Sequence, residues 1–271
     1  MAQRFLAAAI QTCAGSDKEA NFGTAERLVR LAAAEGASLI VLPEVFFWRG
    51  ERNEEHAAAE PIPGPTTERL AALARELGVH LVGGSILERA PGEPKVFNTC
   101  TVFDPSGRLI ARYRKTHLFD VDIPGHVSIR ESDTRRRGAE TVVVRTDLAA
   151  IGLSVCYDLR FPELFRRLTL GGAEVICLPS AFTFPTGAAH WEVLLRARAI
   201  ENQVYVVAPN QFGHSPSGIN DYGHSAIVDP WGTMSACAGN TETVVTAAID
   251  LEYLARVRRE LPCLEHRAFV L

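Results

Sequence analysis

Two distant stretches of the chain carry the same order of features. EGASLIVLPEVFF (35–47) and GGAEVICLPSAFTF (171–184) each pass from a helix end through Gly-Ala into a short apolar strand, then Leu-Pro, one polar residue and aromatic residues. Proline has no N–H to give a ladder, so each strand stops there and presents a single polar side chain just beyond its end. NQVYVVAPNQFG (202–213) ends a strand in a related way. Ligands gather outside the carboxyl ends of strands in α/β sheets, so Glu44, Ser180 and Asn210 are expected around one pocket, with Cys156 at another such end.

Strand and helix periodicities alternate around these units, which argues for a layered α/β chain. A strand is predicted over 5–12, a helix from Asp17 to Glu35 with Leu28, Leu31 and Ala32 on one face, and a helix from Thr66 to Leu77 stopped by Gly78. HLVGGSILE, VFNTCTVFD and RLIARYRK read as strands, the last two joined by the turn DPSG, so the sheet is mixed. Further strands are predicted at 141–146, 149–155 and 174–178, with helices from Pro162 and from Gly187 to Asn202. No low-complexity linker interrupts the pattern, and residues 1–271 are read as a single domain.

At 47% hydrophobic and 22% charged residues, the composition is that of a soluble globular protein. A formal net charge of −4 leaves no electrostatic footprint for nucleic acid, and the run Arg135–Arg137 is read as a solvated loop. No apolar stretch approaches the roughly 20 residues that span a bilayer. The apolar run after Arg4 is read as a first strand, not an export signal. Six cysteines without a Cys-x-x-Cys pair fit reduced thiols, hence a cytoplasmic protein.

Cys13, Cys100 and Cys177 are read as small core residues. Cys156, in GLSVCYDLRFPEL, differs: it stands where a strand becomes a helix, and exposed N–H groups at a helix start favour a thiolate. Such a nucleophile needs a base. His117 in KTHLFD is one candidate. Glu44 is the other, placed between Pro43 and bulky apolar residues that would desolvate its carboxyl, whereas Glu51, Glu54 and Glu55 read as solvated. Lys115, ending RLIARYRK, offers a cation for a developing oxyanion.

LPE, YRKTHLFD and GLSVCYDLRFPEL, in this order and continued by AHWEVLLRARAIENQ, YGHS and VDPWG, resemble the nitrilase superfamily of carbon–nitrogen hydrolases over nearly the whole chain. The resemblance implies a four-layer α-β-β-α sandwich with mixed sheets and a homodimer or higher homo-oligomer. It makes Glu44 the general base, Lys115 the cation, Cys156 the nucleophile and Glu131 a second carboxylate beside the lysine, with the Tyr157 backbone N–H completing the oxyanion site. His117 is then left a structural role. No cofactor and no metal is implied, and neither nucleic acid nor membrane is an expected partner.

The branch most similar is that of deaminated glutathione amidase and omega-amidase, the former taken as the best guess. It implies a small amide substrate bearing a carboxylate, with Arg160 or Arg198 to receive it. The segment VFFWRGERNEE and Ala188 depart from that branch. Omega-amidase, N-carbamoyl amidohydrolase, nitrilase and a catalytically silent scaffold are the alternatives.

Overall fold

The computed structural model describes residues 4–125 and 127–269. Its first half contains β1 (Arg4–Gln11), α1 (Lys18–Ala34), β2 (Ala37–Val41), α2 (Glu55–Ala58), α3 (Pro65–Leu77), β3 (His80–Glu88), β4 (Phe97–Phe103) and β5 (Leu109–Arg114). A hairpin of β6 (Asp120–Ile123) and β7 (Val127–Arg130) leads to β8 (Val143–Arg145), β9 (Ala150–Leu153), α4 (Pro162–Leu170), β10 (Val175–Cys177) and α5 (Phe184–Asn202). Then come β11 (Tyr205–Ala208), the hairpin β12 (Phe212–His214) and β13 (Asn220–Tyr222), β14 (Ala226–Val228), β15 (Met234–Cys237), β16 (Thr243–Asp250) and α6 (Leu251–Glu260).

The strands form two six-stranded sheets, ordered β16-β1-β2-β3-β4-β5 and β15-β14-β11-β10-β9-β8. Taken from β16, the first sheet pairs antiparallel, parallel, parallel, antiparallel, antiparallel. Taken from β8, the second has the same succession. The two strands of the sequence echo, β2 and β10, hold the third place in each, so the repeat in sequence is a repeat in structure.

Side-chain alternation sorts the layers. On β1 and β2, Phe5, Ala7, Ala9, Leu39 and Val41 join the core between the sheets, while Ala8, Ile10 and Ile40 pack under α1 and α3. Leu164, Phe165 and Leu168 of α4 and Trp191, Leu195 and Ala199 of α5 cover the outer face of the second sheet. Burying each large side chain stabilises by about 1.5–3 kcal/mol, so both faces of both sheets hold the stack together. The result is the expected α-β-β-α sandwich with mixed sheets.

Local signals place the helices. Asp17 caps α1 by accepting the N–H groups of Glu19 and Ala20. Pro65 opens α3, and Gly78 at φ 65° closes it. Some expectations are corrected. Leu31 lies on the exposed side of α1, and α5 starts at Phe184, with Pro185 in its first turn. Cys13 is exposed, since β1 ends before it. Cys100 and Cys177 are core residues as expected.

Candidate active site

The predicted strand SLIVLPEVFF is regular only to Val41, and beyond it the chain turns, with Val45 at φ 44°. Glu44 sits in this turn at 2% exposure, pressed against β3. Gly84 of β3 permits the approach: at φ 55°, a Cβ there would lie 2.1 Å from the Pro43 carbonyl oxygen. The buried carboxylate is fully engaged. Its Oε1 accepts from Asn98 Nδ2 at 2.7 Å and Lys115 Nζ at 2.9 Å, and its Oε2 accepts from the Ala181 N–H at 2.9 Å. The two echo loops thus touch, and the Glu44 N–H also donates to the carbonyl of Ser180, its counterpart, at 3.4 Å.

Lys115 follows the last residue of β5, its N–H bonded to the Asn98 carbonyl at 2.8 Å, and is 1% exposed. Its ammonium bridges Glu44 and Glu131, the latter at 3.0 Å. Burial by itself would depress the ammonium, but Glu131 and Glu44 raise its pKa above the ordinary lysine value and keep it charged. Burial likewise opposes ionisation of Glu131, yet Lys115, Arg135 and the Phe119 N–H hold its carboxyl down at about 2.

Arg135 is where the reading of a solvated basic loop fails. Only 11% of its side chain is exposed; Nη2 donates to Glu55 Oε1 at 2.6 Å and Nη1 to Glu131 Oε1 at 2.5 Å. Glu55, expected on the surface, is buried and held below the usual carboxylate range by Arg135 and Thr134 despite desolvation. Glu55, Arg135, Glu131, Lys115 and Glu44 form one chain of alternating charge along the pocket wall.

Cys156 opens a 3-10 turn, Cys156–Arg160, between β9 and α4, with φ 48° and its N–H bonded to the Pro179 carbonyl at 2.9 Å. A non-glycine residue in this region stores strain that surrounding contacts must hold. Asp158, wholly buried, supplies them. Its Oδ2 accepts from the Val155 N–H and the Tyr113 hydroxyl, both at 2.8 Å, and its Oδ1 accepts the His117 N–H at 3.1 Å and contacts His117 Nδ1 at 2.7 Å. The His117 ring stacks on Phe161, their centroids 3.7 Å apart. One carboxylate therefore ties the cysteine turn to the segment that carries Lys115. That is what the residues directly after the cysteine do.

The thiol lies beside Glu44 and the Ala181 N–H. Burial first, and then the Glu44 carboxylate, push it well above its ordinary value, with Lys115 offsetting only part. Burial and the neighbouring carboxylate thus work against the thiolate expected at a helix start and favour the thiol form. The Tyr157 N–H, at the start of the turn, has no backbone acceptor among the described residues.

Glu44, Lys115, Glu131, Cys156 and Tyr157 all line one pocket of about 740 Å³, counted out to its mouth. Ser180 and Asn210 do not line it. Both are wholly buried and brace the loops; Asn210 Oδ1 accepts the Phe182 N–H at 2.9 Å. Arg198 is turned away as well, donating to the Leu159 carbonyl and to Glu201. Arg160 lies over Phe182, a pocket residue, at 5.0 Å from the ring centroid. Sequence reasoning missed Asn98, Arg135, Glu55 and the clamping role of Asp158. Only Asp158 carried a local signal, its place two residues after the cysteine.

The family model for carbon–nitrogen hydrolases matches residues 6–259. An omega-amidase of Xenopus tropicalis is 42% identical over 97% of this chain and 95% of its own length. A deaminated glutathione amidase of Bos taurus is 44% identical over 97% of this chain and 81% of its own. Among solved structures, Nit3 of Saccharomyces cerevisiae, described as a member of the nitrilase superfamily, superposes with a TM-score of 0.90 at 34% identity, covering 99% of this chain and 98% of that one.

Proposed function

The chain belongs to the carbon–nitrogen hydrolase family, and from that premise we propose that it is an amidase cleaving the C–N bond of a small linear amide through a thioester on Cys156. The observation that carries this reading is the meeting of a carboxylate, an ammonium and a thiol in one pocket from three remote parts of the chain. In the first step Glu44 takes the thiol proton as sulfur bonds to the amide carbon. The resulting oxyanion is met by the Lys115 ammonium and the Tyr157 N–H. Glu44 passes the proton to the departing nitrogen, the C–N bond breaks, and ammonia or an amine leaves a thioester. Water then gives a proton to Glu44 as its oxygen attacks; the C–S bond breaks, sulfur recovers the proton, and the acid departs. Glu131 holds Lys115 in place and charged through both halves.

Deaminated glutathione amidase remains the first reading of the substrate, with omega-amidase as the second, and relatives bearing both names support it. Of the two arginines expected to receive the substrate carboxylate, Arg198 is turned away and Arg160 lies outside the residues that line the pocket. Residues 1–271 are read as one domain because strands of both sheets share one core. A second copy is the proposed partner. Val193 and Ile200, two turns apart on α5, and the neighbouring Trp231 form an exposed apolar face on the side of α5 away from its sheet.

The test is ammonia release from omega-amides of α-keto acids, N-carbamoyl compounds, simple aliphatic amides and matched nitriles, beside a Cys156→Ala control. Turnover of the keto-acid amides that Cys156→Ala abolishes is expected. Turnover of carbamoyl compounds alone would overturn the substrate reading and keep the mechanism, and turnover that survives Cys156→Ala would overturn both.

A further inference from the structure

Among the described residues four cations line the pocket that holds Cys156, namely Arg49, Arg52, Lys115 and Arg135. Three are committed. Arg49 is paired with buried Asp221, Arg135 with Glu55 and Glu131, and Lys115 with Glu44 and Glu131. Arg52 alone makes no ion pair among the described residues. Its one side-chain hydrogen bond among the described residues runs from Nη1 to the Arg130 carbonyl at 2.7 Å, which fixes the guanidinium against β7 and leaves Nε and Nη2 without a partner among those residues. Those two donors form the edge of a guanidinium that matches a carboxylate side-on.

Its position gives that edge a use. Arg52 belongs to the 3-10 turn Arg52–Glu54, in the stretch VFFWRGERNEE that the sequence reading sets apart from the branch of deaminated glutathione amidase and omega-amidase. It stands where the pocket passes into an outer groove, whose other walls are Val127–Ile129, Thr183–Pro185 and the Ser217–Asn220 turn. Glu51, its neighbour, lines only the outer groove and makes no pair with it. Arg52 and Cys156 line the same pocket, and Arg52 also lines the groove outside it, which Cys156 does not.

We propose that Arg52 is a specificity-determining residue that binds a carboxylate on the arm of the substrate remote from the scissile amide. The inference rests on the amidase reading above. A charge-assisted hydrogen-bond pair at a partly exposed site contributes roughly tenfold in substrate binding.

The experiment measures kcat/KM for primary amides of equal length whose far end is a carboxylate, a hydroxyl or an ammonium, with wild type, Arg52→Met, Arg52→Lys and Arg52→Glu. The wild type should favour the carboxylate amide. Arg52→Met should cut that preference about tenfold, mostly through KM, Arg52→Lys should restore part of it, and Arg52→Glu should turn it toward the ammonium amide. Turnover by the wild type with the same order of preference in Arg52→Met and Arg52→Glu overturns this inference and leaves the amidase reading standing. No turnover of any member by the wild type overturns both.

Discussion

Removing Arg135 leaves Glu55 and Glu131 buried without their shared cation. Breaking a buried pair from one side costs about 3–5 kcal/mol, so Arg135→Met should unfold at markedly lower temperature, and adding Glu55→Gln should recover part of the loss. The pH dependence has a definite sign. The folded Glu131 carboxyl titrates at about 2, below its ordinary value of 4.5, so its contribution to stability is present above the ordinary value and fades as pH falls through about 2. Without Arg135 the folded value rises, and acid unfolding, followed by circular dichroism, should move to higher pH. At this scale the sequence pointed to the groups proposed to react but not to the groups that hold them. Glu44, Lys115 and Cys156 stand at strand ends with unusual neighbours, whereas Arg135 and Glu55 sit in polar runs that look solvated. Only their meeting across 80 residues of chain takes them out of water.

Gly84 belongs to the scale of the element, because what it permits is the contact between strand β3 and the turn that carries Glu44. Gly84→Ala would set a methyl against the Pro43 carbonyl in a backbone region that penalises any side chain, and the turn must shift. Displacement of a catalytic group by about 1 Å can cost on the order of a hundredfold in rate. Ammonia release should therefore fall by about tenfold or more, with destabilisation of about 1–3 kcal/mol in thermal melts. Helix ends were legible because Asp17, Gly36, Gly78 and Pro162 are strong local punctuation. Strand ends were less so: SLIVLPEVFF and the run at 149–155 are mostly apolar, and the strands end earlier than those runs suggest, β2 at Val41, two residues before Pro43, and β9 at Leu153, three before Cys156.

For the whole molecule, the α5 face around Val193 and Trp231 predicts association. Trp231 is 58% exposed in the single chain, and burying its side chain with Val193 and Ile200 on a second copy would remove a large apolar surface from water. Sedimentation of wild type should give a dimer or larger, and Val193→Glu with Trp231→Asp should shift the mass toward monomer without loss of helical signal. The layered class was legible from alternation and from the repeated Gly-Ala, apolar run, Leu-Pro unit. The strand order was not, since it depends on pairings such as β1 with β16 that join opposite ends of the chain.

The equal strand succession of the two sheets sets a condition on how such a centre can exist. Where matching loops face each other, as Glu44 and Ser180 do, an assembly of identical half-length chains would be obliged to repeat one residue on both sides. Two acids would repel there, and two hydroxyls would include no base. Within one chain each side is free to differ, so that one carries the carboxylate of Glu44 where the other carries the hydroxyl of Ser180, an asymmetry at matching positions that identical copies across a two-fold axis cannot have.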